Sequence, residues 1–69
     1  MMTKDEARRA LEADLRSRKL AKPMTLEELN VFCEEMYKRL EFKSHSERLA
    51  DILKWAKGWQ SKNLPRSAA

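Results

Sequence analysis

One cysteine, one histidine, five glutamates in a short stretch and two basic clusters, one holding a tryptophan, are the residues whose chemistry could matter in this 69-residue chain. Cys33 would need a nearby base and an electropositive setting to act as a nucleophile. Its neighbours are Glu34 and Glu35, so it reads as a small buried hydrophobe. His45 could titrate near neutrality, but in a first helical turn it reads as an exposed polar residue. Cys33 and His45 together cannot supply the four donors of a tetrahedral metal site. Glu27, Glu28, Glu34, Glu35 and Glu41 could pair for acid/base work, yet a chain this small offers no cleft to hold such a pair. They read as a solvated face. Gly58 is the single glycine, which excludes a glycine-rich phosphate loop. We therefore expect no catalytic residue, no metal and no cofactor.

The basic clusters carry more weight. One is Arg16, Arg18, Lys19 and Lys22. The other is Lys54, Lys57, Lys62 and Arg66, with Trp59 among them. The net charge is +4 and the isoelectric point is near 9.5. Such clusters can neutralise phosphate or can be ordinary solvated helix faces. No helix-turn-helix, zinc-finger or basic-zipper pattern accompanies them. The residues that would contact nucleic acid are Arg16, Arg18, Lys19, Lys54, Lys57 and Lys62.

These side chains must be positioned by helices. One glycine and two prolines cannot make the frequent turns of a strand-rich domain, so the fold class is all-α. Three segments open on the pattern [ST]-x-x-E: Thr3 to Glu6, Thr25 to Glu28 and Ser44 to Glu47. In this capping box a hydroxyl accepts from the third helical amide and the glutamate accepts from the cap amide. Met24 and Leu29 flank the second box as a hydrophobic staple. The predicted helices span 4–20, 26–41 and 46–62, with Pro23 behind the end of the first and a loose tail over 64–69.

The first helix has a thin stripe: Ala7, Ala10, Leu11, Leu15 and Leu20. In the second, Leu26, Leu29, Cys33, Met36 and Leu40 are spaced 3-4-3-4, a heptad seam that Phe32 and Tyr37 widen. In the third, Leu49, Ile52, Ala56 and Trp59 repeat the spacing, with Leu53 and Trp55 beside them. Gly58 weakens that helix and could admit a close neighbour beside Trp59. A short link over 42–44 makes the second and third helices an antiparallel hairpin.

A domain this small is marginal without a staple, and one cysteine rules out an internal disulfide. Two arrangements follow: a monomeric three-helix domain, or a four-helix-type homodimer of hairpins with the first helix as an arm. Charge favours the pairing of unlike helices. Residues 1–22 carry seven basic and four acidic side chains, net +3; residues 24–42 carry two and five, net −3; residues 43–69 carry six and two, net +4. The dimer is the arrangement expected here.

The function expected from this reading is a small interaction module, a regulator or inhibitor that docks on an unidentified protein through the second and third helices. Its core or interface anchors are Leu29, Phe32, Met36, Tyr37, Leu40, Leu49, Ile52, Trp55 and Trp59. Val31 could extend an exposed apolar patch. Nucleic-acid binding is the alternative. The third helix is basic and amphipathic, as membrane-surface helices are, but its capping box and hairpin partner suit a folded setting better. With no apolar run near the ~18 residues of a membrane span and no apolar leader after Met1, the cytoplasm is the expected compartment. Short charged helical chains of this style are common among phage and mobile-element regulators.

Overall fold

In the computed structural model, which describes residues 1–44 and 47–64, the chain forms three helices: α1 (Lys4–Ser17), α2 (Leu26–Arg39) and α3 (Arg48–Asn63). They run up, down and up. Met24 at the start of α2 meets Gln60 near the end of α3, and Arg48 in the first turn of α3 meets Tyr37 near the end of α2. Lys4 and Asp51 pair the first turns of α1 and α3, so those two helices run in the same direction. The third helix packs closely against both α2 and α1.

Two of the three capping boxes form as the sequence predicts. The Thr3 hydroxyl accepts from the Glu6 amide at 3.1 Å, and the Glu6 carboxylate accepts from the Thr3 amide at 2.9 Å. Thr25 and Glu28 repeat this at 3.2 and 2.9 Å. The third box is not seen among the described residues. Helix α3 has Glu47 as N-cap with no side-chain cap, and the Ser44 hydroxyl donates to Asp51 one turn inside the helix. His45 and Ser46, and with them the expected start of the third helix at 46, lie outside the described residues, as does 65–69 of the tail.

The formed boxes make stability pH-dependent. Hydrogen bonds from the cap residues, the Thr3 and Thr25 amides foremost, hold the Glu6 and Glu28 carboxyls below the ordinary glutamate range. A lowered native value means that the stabilisation is complete above the ordinary range and is lost as pH falls through the lowered one. The urea midpoint should therefore drop with acidification below about 4.3. Thr25→Ala should cost about 1 kcal/mol at neutral pH, read by urea titration of the helical circular dichroism.

The helix ends differ from expectation. Helix α1 stops at Ser17, short of Leu20, because Lys19 adopts the left-handed conformation at φ 49° and its amide turns back to Arg16 O. This is the usual way a helix is closed, and it precedes any effect of Pro23. Helix α2 stops at Arg39, and Leu40 is already extended. The link to α3 covers 40–47 rather than 42–44, and it contributes to the core: Phe42 is buried and its ring lies 5.1 Å from that of Trp55. The Met2 amide donates to Glu41 O at 2.9 Å, tying the N-terminus to this link.

The core is one cluster: Ala7, Leu11 and Leu15 from α1; Leu29, Phe32, Cys33 and Met36 from α2; Leu40 and Phe42 from the link; Ile52 and Ala56 from α3. The α2 seam holds over Leu29, Cys33, Met36 and Leu40, all buried, and Phe32 widens it as expected; only its first residue stays outside. Leu26 is 72% exposed, while Phe32 is 1% exposed. In α3 likewise, Leu49 is 41% exposed and the buried line is Ile52, Ala56 and Gln60. The alanines explain how a thin α1 stripe suffices. Ala7 and Ala56 have no accessible surface, and small side chains allow close backbone approach. Helix α1 thus packs on the hairpin and shares its core, while Leu26, Val31, Tyr37 and Leu49 stay exposed.

Gln60 is the polar member of the interior. Its Oε1 accepts from the Met24 amide at 2.7 Å, and its Nε2 donates to Ala56 O at 3.2 Å. It fastens the α1–α2 link to α3. Gln60→Leu leaves the Met24 amide without its acceptor, at a cost of about 1–3 kcal/mol. Thermal unfolding of this variant beside wild type would measure it.

Candidate binding groove

Lys4, Arg8, Glu12 and Arg16 recur every fourth residue, so they share one face of α1. Asp51, Lys54, Trp55, Gly58, Trp59, Lys62 and Asn63 form the facing side of α3. Together these eleven residues line a groove of about 460 Å³ between the two parallel helices. The span from Lys4 to Arg16 is about 18 Å at 1.5 Å per residue.

Five cations and two carboxylates line this groove. Both carboxylates are taken: Glu12 pairs with Arg8 at 3.3 Å, and Asp51 with Lys4 at 3.8 Å. Arg16, Lys54 and Lys62 make no ion pair among the described residues, and all three are exposed. Between them, Trp55 and Trp59 are half-buried, packed on the core from one side and open to the groove on the other. Nothing would lie within 4 Å of a Cβ at Gly58. The close neighbour expected there is absent among the described residues, and the missing side chain leaves space on the groove wall beside the indoles.

The six basic residues singled out from sequence divide. Arg16, Lys54 and Lys62 meet in the groove. Arg18 is engaged elsewhere: it bonds Asp14 at 2.7 Å, approaches Glu35 at 3.7 Å and lies 4.8 Å over the Phe32 ring. Lys19 sits in the left-handed turn. Lys57 is exposed but points its field toward Cys33. Burial pushes the Cys33 thiol up, and Lys57 opposes this only in part. Sequence reasoning missed Lys4 and Arg8, although the four-residue spacing from Lys4 to Arg16 was there to be read.

The expected anchors divide too. Leu29, Phe32, Met36, Leu40 and Ile52 are interior and cannot meet a partner without unfolding. Tyr37 and Leu49 are exposed and share a shallow depression on the α2–α3 side. There the Arg48 guanidinium lies 4.2 Å over the Tyr37 ring and donates to Tyr37 O. Val31 lines a separate depression with Leu20 and Met24. Among the described residues no helix is long and apolar enough to cross a membrane.

Compared with protein-family models, with curated proteins and with solved structures, the chain matches none.

Proposed function

We propose that this protein is a non-enzymatic helical docking module that holds a polyanionic macromolecule in the groove between α1 and α3. It acts by occupancy, as a regulator or accessory factor does, and uses no chemical step. The observation that carries this reading is the convergence of Lys4, Arg8, Arg16, Lys54 and Lys62 from two helices on one groove, with three of the five unpaired among the described residues. An alternating-sign face sets its charges against one another in pairs; this one leaves a surplus of cations beside two half-buried indoles. Docking through the α2–α3 face is the weaker reading, since most of its proposed anchors are interior.

Retention on immobilised heparin, a generic polyanion, tests the proposal. Wild-type protein should bind at low salt and elute as salt rises. Lys54→Glu with Lys62→Glu should elute at clearly lower salt. Lys38→Glu with Lys43→Glu makes the same change in net charge outside the groove and should shift elution much less. Equal shifts would mean that retention follows net charge alone, and the groove would lose its role.

A further inference from the structure

We propose that the groove's polyanion is an extended single strand of nucleic acid, with its phosphates on Arg16, Lys54 and Lys62 and its bases against Trp55 and Trp59. This rests on the docking reading above and adds the class of partner.

Three observations support it. First, the site is a concavity between two packed helices. A double helix is read by inserting a protein element into its ≈ 12 Å major groove, the opposite shape relation. A single strand can lie in such a groove. Second, the indoles are interleaved with the cations. Lys54 precedes Trp55, and Trp59 is followed by Lys62 one turn later. Single-strand sites combine a basic track for the backbone with aromatic faces for the bases. An acidic peptide would use the cations but offers an aromatic ring only where its sequence supplies one, whereas every nucleotide carries a planar base to set against the two tryptophans. Third, the dimensions fit. Lys54 and Lys62 are about 12 Å apart along α3, and the whole groove is about 18 Å long. At the ~3.4 Å rise of a stacked strand this would hold about five nucleotides, and an extended strand at about twice that spacing places about three. Open space at Gly58 leaves room for a base on the groove wall beside the indoles.

Trp55 and Trp59 are the two tryptophans of the chain, so indole emission reports on the groove directly. Titration with a ten-nucleotide oligothymidylate at low salt should quench this emission. The affinity should fall as salt rises, with a log–log slope near −2, as expected for about three neutralised phosphates on a single strand. Lys54→Glu with Lys62→Glu should weaken binding at least tenfold, and Trp59→Ala at least fivefold. Trp59 is partly in the core, so the lysine pair, exposed on α3, decides the matter if the tryptophan variant loses its helical circular dichroism. A duplex of the same length and a poly-glutamate peptide are the comparisons, and both should bind at least tenfold more weakly. Poly-glutamate binding as tightly as the oligonucleotide would overturn the nucleic-acid inference and leave the docking module standing. A duplex binding as tightly would overturn the single-strand assignment. Absence of binding by all three would bring down both the inference and the docking reading.

Discussion

Leu11→Ala should destabilise the whole domain by about 2–5 kcal/mol. Leu11 has no accessible surface and sits at the middle of α1, in the same core cluster as Phe32 and Ile52. A chain of this length has about 3–10 kcal/mol of stability in total, so the variant should be substantially unfolded or close to it. The measurement is urea unfolding followed by circular dichroism and by tryptophan emission. Both signals should shift together, because the α1 residue supports the core that α2 and α3 also share. If α1 were a separate arm, as in the four-helix arrangement, the tryptophan transition would move by under about 0.5 kcal/mol, as surface substitutions do. The same variant therefore separates the two architectures.

Phe32→Ala should cost about 3–5 kcal/mol. The ring is among the largest fully buried side chains, and the Arg18 guanidinium rests 4.8 Å above it. Truncation opens a cavity and removes a cation–π contact, the latter worth about 0.5–1 kcal/mol at an exposed site. Leu26→Ala on the same helix is the comparison. Leu26 is mostly exposed, and its loss should change stability by no more than about 0.5 kcal/mol. A strict heptad seam would predict the reverse order, with Leu26 in the core and Phe32 at its flank. Calorimetric melting of the two variants shows which face of α2 is inside.

Much of the architecture was legible in residue spacing. The all-helical class, the number of helices and two of three capping boxes can be read directly, since caps and periodicity are local. What failed was decided by contacts between distant residues. Leu26, the first residue of the α2 seam, is exposed because the core ends before it, and the periodicity of α2 alone does not register where its neighbours end. Ser44 donates to Asp51, seven residues on, a contact that the three-residue spacing of a capping box does not register. Phe42 looked like a link residue, yet it is buried against Trp55 because the link folds over the end of the bundle. Gln60 gave no signal at all: a glutamine near a helix end is ordinarily exposed, and only the Met24 amide explains its burial. The groove was half legible. Lys54, Lys62, Arg16 and Trp59 stood out as charge and aromatic clusters, but their meeting depends on α1 and α3 being parallel neighbours, which chain order alone does not give.

That parallel pairing has a kinetic side. The hairpin of α2 and α3 closes through the link over 40–47, a short loop with a small entropy of closure. Lys4 and Asp51, by contrast, come together only when the full length of α2 and both links are spanned. Contacts of high sequence separation form late in the folding of small domains. Phe32→Ala should accordingly slow refolding, whereas Leu11→Ala should act mainly by accelerating unfolding. The groove would be the last surface to assemble and the first to open. A ligand held there would act on the unfolding rate, lengthening the lifetime of the native state more than it hastens its formation.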